Sequence, residues 1–211
     1  MIIAVEGIDG AGKHTLTTRL TAAITATGRT VATLAFPRYT IPPLGPLVRA
    51  MLDGDPGLAA VAGSPRATAL LFALDRANAL PELTRLAAGH DVLIVDRYVA
   101  SNAAYGAARV PPEERDAFPD WVAAVELTDL GLPRPDLQVL LRVPAHVARA
   151  AAQERAARDA ERKLDTFESD DGLQDRCAAV YERLAAAGWV SPWLVVDRDS
   201  GAQAVMARLF G

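Results

Sequence analysis

The chain has 211 residues, a length that suits one domain with a single buried core, and its 51% hydrophobic and 23% charged residues exclude a disordered chain. A net charge of −4 argues against a nucleic-acid-binding surface, and no apolar run reaches the roughly 20 residues that cross a bilayer. The apolar N-terminal stretch ends at Glu6 without a preceding basic region, and Cys177 is the one cysteine. We therefore expect a cytoplasmic protein that binds neither membranes nor nucleic acid.

Short apolar runs alternate with helical stretches along the chain. The runs contain mostly leucine and β-branched residues without polar alternation, which predicts strands covered on both faces. They occupy 2–5, 31–36, 92–95, 139–143 and 194–196. The helical stretches occupy about 13–27, 65–88, 112–127 and 173–187, and three of them end at a glycine. This order predicts an α/β fold in which an open parallel sheet is flanked by helices on both faces.

A glycine-rich stretch joins the first predicted strand to the first predicted helix. It reads Gly7-Ile8-Asp9-Gly10-Ala11-Gly12-Lys13-His14-Thr15. Glycines let a backbone approach an anion, the helix N-terminus attracts negative charge, and Lys13 adds a mobile cation. This context predicts a phosphate-binding loop for ATP, although a glycine-rich turn without a ligand is the alternative. The position that usually carries a Mg²⁺-binding hydroxyl holds His14, and Thr15 follows one residue later.

Polar and basic residues follow the second and third predicted strands. Ligands of open parallel sheets bind beyond the carboxyl ends of the strands. The sequence Phe36-Pro37-Arg38-Tyr39 follows one strand, and Asp96-Arg97-Tyr98 follows the next. Arg38 and Arg97 could each hold a phosphate, and Asp96 could orient Arg97 or hold Mg²⁺ through water. The alternatives are an exposed arginine at 38 and a structural ion pair at 96–97.

Two further pairs have helical spacing. Phe72 and Arg76 are four residues apart, so one could stack on a base while the other reaches its edge. Asn102 and Tyr105 are three apart and could also point to one side. Phe72 could instead be a core aromatic residue, and Tyr105 a core tyrosine with a satisfied hydroxyl.

The stretch 149–163 is rich in arginine and alanine. Arg155, Arg158 and Arg162 fall on one helical face, and the alanines offer little for deep packing. This pattern suits a mobile lid. A solvated helix with pairs such as Glu154 with Arg158 is the alternative.

Several of these motifs occur in the order found in thymidylate kinases. They are the Gly-x-x-Gly-x-Gly-Lys-x-Thr loop, Phe36-Pro37-Arg38, Phe72-Ala73-Leu74-Asp75-Arg76, Asp96-Arg97-Tyr98 with Ser101, Asn102 and Tyr105, and Asp165-Thr166-Phe167-Glu168. The sequence resembles this family, in its bacterial and especially its actinobacterial form. The resemblance implies a three-layer P-loop kinase fold with a five-stranded parallel sheet, a helical lid at about 147–165, and one kinase domain over 1–211.

The same resemblance implies transfer of the γ-phosphoryl group of ATP to dTMP, with Mg²⁺, by a homodimer. Gly7 to Thr15 would bind ATP. The implied dTMP-binding residues are Asp9, Phe36, Arg38, Tyr39, Phe72, Arg76, Arg97, Ser101, Asn102 and Tyr105. Among them, Phe72 would stack on thymine, Arg76 would donate to its O4 edge, and Tyr105 would exclude a 2′-hydroxyl.

The implied catalytic cations are Lys13, Arg97 and the lid residues Arg155 and Arg158. Family members with a glycine at the position of Gly10 supply their catalytic arginine from the lid. The implied metal-binding residues are Asp9 and Glu168. Three features depart from the family pattern: His14, Thr166-Phe167, and the proline-rich segment 41–46.

Two other classes of function remain open at this point. One is a different nucleotide or deoxynucleoside kinase on the same scaffold, and the other is a non-catalytic nucleotide-binding switch.

Overall fold

The computed structural model describes residues 1–158, Phe167 and 171–211. Its centre is a parallel five-stranded sheet with the strand order β2-β3-β1-β4-β5. The strands are β1 (Ile2–Glu6), β2 (Val31–Ala35), β3 (Val92–Asp96), β4 (Leu137–Leu141) and β5 (Trp193–Val196). All five residues of β1 and of β4 are buried, as strands in a sheet covered on both faces require. The predicted flanked parallel sheet is therefore confirmed.

Ten α-helices occur in the described ranges. They are α1 (Lys13–Thr25), α2 (Leu44–Leu52), α3 (Ala59–Gly63), α4 (Pro65–Asn78), α5 (Leu80–Gly89), α6 (Val99–Ala107), α7 (Phe118–Ala123), α8 (Ala145–Arg158), α9 (Asp171–Ala186) and α10 (Gly201–Phe210). Helix α1 packs against α10, and α6 lies among α4, α7 and α9. A π-helical segment, Ala124–Asp129, continues α7.

The strand order creates a crevice at the carboxyl ends of β1 and β3. These strands are neighbours, and the chain leaves β1 toward β2 on one side but leaves β3 toward β4 on the other. The register pairs Val5 with Asp96, and the backbone N–H of Arg97 donates to Val5 O at 2.9 Å. The residues that follow the two strands therefore emerge side by side, where open sheets bind ligands.

The predicted fourth strand was placed two residues too late. The strand begins at Leu137 because Asp136 fixes its entry: the Ile2 N–H donates to an Asp136 carboxylate oxygen at 2.6 Å. Gln138 interrupts the apolar pattern, yet it is buried because its amide donates to Trp189 O at 2.8 Å and to Ser191 Oγ at 3.1 Å. Because Gln138 interrupts the apolar run, the sequence pattern did not indicate that the strand begins at Leu137.

The long helix predicted over 65–88 is two helices. It breaks at Ala79, two residues before Pro81, because proline has no N–H for the helical ladder and its ring disfavours a continuous helix. The predicted helical stretches also lacked α2, α3, α6 and α10.

Within the described ranges, no single helix has both the length and the apolar composition needed to cross a bilayer. The bent pair Pro56–Gly63 and Pro65–Asn78 meets these two criteria only jointly, across a bend of 104°. The predicted lid range of 147–165 falls partly on α8, and its residues 159–165 lie outside the described part of the chain.

Helix α6 depends on a close contact at Gly106. A Cβ atom at this position would overlap the ring of Phe118, the fully buried first residue of α7. We predict that Gly106→Ala lowers the free energy of unfolding by about 1–3 kcal/mol, because the well-packed interior must shift to admit the methyl group. The midpoint of urea unfolding measures this change. Gly89→Ala, where a Cβ atom would meet nothing within 4 Å, is the matched control, and an equal effect of both changes would contradict the prediction.

Candidate active site

The glycine-rich loop connects β1 to α1 and forms one wall of a cleft. Gly7, Gly10 and Gly12 all have positive φ angles, which residues other than glycine rarely adopt. Two cationic side chains donate hydrogen bonds to carbonyl oxygens of the loop. Lys13 Nζ donates to Gly7 O at 3.0 Å and to Ile8 O at 2.9 Å, while Arg198 donates to Ala11 O at 2.9 Å and to Gly10 O at 2.6 Å. With these carbonyls bound, the loop is held in the shape that an anion-binding backbone requires.

The cleft beside this loop has a volume of about 830 Å³, within the roughly 300–1,000 Å³ typical of small-ligand pockets. Its lining is rich in charge. The lining residues include Asp9, Gly10, Gly12, Lys13, His14, Thr15, Arg19, Arg49, Asp96, Arg97, Glu154 and Arg198. The side chains of His14 and Thr15 are exposed here. We refer to this space as the phosphate cleft.

Lys13 is buried, although its charge is the mobile cation of the loop. Burial lowers the pKa of its ammonium group from 10.5 to about 8, and the nearby Arg97 charge acts in the same direction. The carboxylates of Asp9, Asp96 and Glu6 only partly offset this effect. An anion in the cleft would favour the charged ammonium group, because opposite charges at short range stabilise the ionised form.

Helix α8 closes over Gly10. A Cβ atom on Gly10 would overlap the backbone carbonyl of Ala148 in the first turns of α8. A glycine at this position therefore lets the helix that leads into the predicted lid touch the phosphate-binding loop directly. The side chains of Arg155 and Arg158, at the end of α8, lie outside the described part of the structure, as do Arg162 and Glu168.

Arg97 and Asp9 form an ion pair between the end of β3 and the loop after β1. Arg97 has a φ of 64°, a left-handed conformation that costs a non-glycine residue strain and occurs mainly at functional sites. Its guanidinium group also donates to Gly7 O at 3.2 Å and to Ser101 Oγ at 3.3 Å. Burial opposes ionisation of Asp9, but Arg97 and Lys13 together lower the pKa of Asp9 from 3.8 to about 2.

A second, smaller cavity adjoins the phosphate cleft. Its lining residues are Asp9, Phe36, Pro37, Tyr39, Leu52, Phe72, Arg76, Arg97, Ser101, Asn102, Tyr105 and Phe167. These include nine of the ten residues predicted to bind dTMP. Aromatic rings and a few polar groups make up the lining, which suits a flat base with a polar edge. We refer to it as the base cavity.

Tyr105 holds the loop carboxylate from the side of the base cavity. Its hydroxyl donates to an Asp9 carboxylate oxygen at 2.6 Å, and the Arg97 guanidinium lies over its ring at 5.4 Å. Burial, together with the Asp9 charge, raises the pKa of Tyr105 well above 10, so the hydroxyl stays a proton donor. Gln174 completes the arrangement: its amide accepts from the Asp9 N–H at 3.1 Å and donates to the Asp9 carboxylate at 3.2 Å.

The predicted residue Arg38 lies elsewhere. It is absent from the lining of both cavities. Its guanidinium group donates to the Asp75 carboxylate at 3.2 Å and to the Asp75 carbonyl at 2.9 Å, and it approaches Glu82 at 3.6 Å. The contact with Asp75 on α4 directs this arginine away from the cleft. The position of Arg38 just after a strand could not indicate this tertiary contact.

Three buried polar residues of the site were missed. Glu6, at the end of β1, accepts from the Tyr98 N–H at 2.8 Å, from Ser101 Oγ at 2.7 Å and from Tyr181 OH at 3.0 Å. Burial raises the pKa of Glu6 despite these donors. A carboxylate that ends an apolar run was a signal for Glu6, whereas Gln174 and Glu126 stand in ordinary helical surroundings and offered none.

Two carboxylates border the phosphate cleft near Lys13. Both oxygens of Asp9 already accept hydrogen bonds, from Arg97 and from Tyr105. Asp96 also lines the cleft, and its carboxylate accepts no hydrogen bond from residues in the described ranges. Asp96 is therefore a better candidate for a cation ligand than Asp9, and its sequence position after the third predicted strand indicated that it could orient Arg97 or hold Mg²⁺ through water. No cluster of three potential metal-binding side chains occurs in 1–158, Phe167 or 171–211.

Comparisons with known proteins agree with this geometry. The family model for thymidylate kinase matches residues 5–190. The thymidylate kinase of Mycobacterium tuberculosis is 50% identical over 199 residues, which cover 94% of this chain and 92% of that protein. That of Bifidobacterium longum is 34% identical and covers 99% of this chain and 95% of that protein. A solved thymidylate kinase from Candida albicans has the same fold, with a TM-score of 0.65 at 19% identity over 99% of this chain and 88% of that one. The chain belongs to the thymidylate kinase family.

Proposed function

We propose that the protein transfers the γ-phosphoryl group of ATP to dTMP, giving ADP and dTDP. One observation carries this proposal: the phosphate cleft and the base cavity share a wall made of Asp9, Phe36, Pro37, Tyr39 and Arg97. A donor triphosphate in the first space and a nucleoside monophosphate in the second would place their phosphates together at that wall. A binding module for one nucleotide has no need of the second cavity.

The residues at the shared wall have roles that follow from their chemistry. Lys13 and the loop N–H groups would hold the β- and γ-phosphates of ATP. Arg97 faces both cavities, so it would bind the acceptor phosphate and neutralise charge on the transferred group. The acceptor oxygen of dTMP is already anionic near neutral pH, so positioning and charge neutralisation account for the catalysis without a general base.

The base cavity would hold the thymidine part of dTMP. Phe72 would stack on the thymine ring, and Arg76 and Asn102 would contact its polar edge. Tyr105, whose hydroxyl is held by Asp9, would lie against the deoxyribose. Arg38 takes no part in phosphate binding in this arrangement, because Asp75 and Glu82 hold its guanidinium group.

The donor set fits a magnesium ion that is shared with the nucleotide. Mg²⁺ in kinases takes one or two protein carboxylates, substrate phosphates and water. Asp96, which accepts no hydrogen bond from the described residues, would hold the ion with Asp9 nearby. Glu168, the other metal-binding residue that the family resemblance implies, lies outside the described residues. The ion would neutralise charge on the phosphates of ATP.

We also propose a single kinase domain over 1–211, a homodimer and a cytoplasmic location.

A panel of phosphate acceptors tests the proposed reaction. We predict that dTMP is the best acceptor with ATP and Mg²⁺, ahead of dUMP, dCMP, AMP and thymidine. A coupled assay for ADP formation, with dTDP identified by chromatography, measures each reaction. Equal or better turnover of AMP or thymidine would indicate a different kinase. Slow ATP hydrolysis that no acceptor changes would indicate a nucleotide-binding switch.

Lys13→Ala tests the phosphate-binding role of the loop. We predict a loss of turnover of about 100-fold or more, because the ammonium charge acts on the transferring phosphates. The far-UV circular dichroism spectrum should stay that of the wild type. Arg85→Ala removes an exposed cation of α5 and serves as the control, which should keep full activity. Near-normal turnover of Lys13→Ala would refute the assignment.

The low pKa of Lys13 predicts a pH dependence. In the free protein the ammonium group loses its proton as the pH rises through about 8, so kcat/KM for ATP should fall above that pH. Bound phosphates favour the ammonium form, so the fall in kcat should come at higher pH. Lys13→Arg should remove the alkaline fall from its residual activity, because a guanidinium group stays charged there. A flat kcat/KM profile up to about pH 9.5 would contradict the prediction.

A further inference from the structure

Glu126 is a buried carboxylate behind the base cavity. It is 1% exposed and lies in the π-helical segment Ala124–Asp129 that continues α7. π-Helical turns are rare and are frequently found at functional sites. Glu126 does not line the cavity itself, but two residues that do, Arg76 and Asn102, are both bound to it.

The contact with Asn102 fixes the orientation of its amide group. Asn102 Nδ2 donates to Glu126 Oε1 at 2.7 Å and to the Ala69 carbonyl oxygen at 2.8 Å. Both acceptors, a carbonyl oxygen and a carboxylate oxygen, lie on the NH₂ side of the amide. A rotated amide would place Oδ1 against two oxygens. The NH₂ group is therefore fully used, and Oδ1 is the group left to bind a ligand, as a hydrogen-bond acceptor.

The contact with Arg76 fixes a donor beside this acceptor. Arg76 Nε donates to Glu126 Oε2 at 2.5 Å, and Nη2 donates to Glu126 Oε1 at 2.8 Å. This bidentate pairing sets the plane of the guanidinium group. Arg76 is 2% exposed and has no other hydrogen-bond acceptor within 1–158, Phe167 or 171–211, so its remaining N–H groups are available on the cavity side.

We propose that Glu126 is a positioning residue that determines base specificity, because it holds Arg76 as a donor and Asn102 Oδ1 as an acceptor next to each other. Thymine presents the complementary pair, the O4 acceptor and the N3–H donor. Cytosine presents the reverse at both positions, a 4-amino donor and an N3 acceptor. The inference rests on the proposed function for the site. It adds the reason why the cavity presents only one arrangement of hydrogen-bond donor and acceptor to the base.

Glu126→Gln tests the role of the carboxylate. The glutamine has nearly the same size, but its amide adds donors that face Arg76 and Asn102, so the Asn102 amide is free to rotate. The acceptors are dTMP and 5-methyl-dCMP, which differ only at the edge that Arg76 and Asn102 would contact. We expect the ratio of their kcat/KM values to fall at least tenfold, while KM for ATP stays within twofold of the wild type. Because both acceptors are measured on one preparation, the ratio does not depend on how much of the enzyme is folded.

Glu126→Asp is the second variant, and it keeps the inference testable if Glu126→Gln does not fold. It keeps the charge that neutralises Arg76, but the shorter side chain cannot reach both partners, so the ratio should fall threefold or more and less than in the glutamine variant. Glu114→Gln removes an exposed carboxylate that pairs with Arg66 and should leave the ratio within twofold.

Three outcomes separate this inference from the proposed function. If both Glu126 variants lower kcat/KM for the two acceptors by the same factor, Glu126 only supports the fold and the inference is wrong. If the wild-type protein shows no preference for dTMP over 5-methyl-dCMP, the inference is wrong although dTMP remains an acceptor. If the wild-type protein phosphorylates neither acceptor, the proposed function is wrong instead.

Discussion

The ion pair between Arg97 and Asp9 is the contact on which the site depends. It joins the end of β3 to the loop after β1, and its two side chains, 17% and 23% exposed, form part of the wall between the phosphate cleft and the base cavity. The left-handed backbone of Arg97 costs free energy, and the fold maintains it through hydrogen bonds from the guanidinium group to Gly7 O and Ser101 Oγ. A charged pair placed here orients a cation toward both nucleotides before either binds, which is the preorganisation that phosphoryl transfer requires.

Two buried carboxylates support residues of the site from behind. Glu6 connects β1 with α6 and α9 through Tyr98, Ser101 and Tyr181, and Glu126 connects the π-helical segment with α4 and α6. A buried carboxylate without partners would be costly, so these networks persist only because donors from several elements satisfy them. The result is a set of binding groups that have one orientation each. Rigidity of this kind lets a cavity distinguish bases that differ only in the direction of their hydrogen bonds.

The phosphate-binding loop is restrained in a similar way. Lys13 and Arg198 bind four of its carbonyl oxygens, and α8 rests on Gly10, where no side chain could fit. The loop, the ATP-side cation and the helix that leads into the predicted lid therefore form one connected unit. Movement of α8 relative to Gly10 would alter the phosphate cleft directly, which gives a physical route between the lid segment and the nucleotide.

The sequence by itself determined the sheet, the phosphate-binding loop, the family and most of the cavity lining. These features depend on local signals: unbroken apolar runs, glycines before a helix, and residues placed just after strands or four apart on α4. Only the tertiary structure decided that Arg38 turns toward Asp75, that β4 begins at Leu137 beside Asp136, and that Glu126 sets the hydrogen-bonding direction of Arg76 and Asn102. Those outcomes depend on which distant side chain satisfies a buried charge or amide, and residues 24 to 134 positions apart in the chain meet only after the strands and helices have packed.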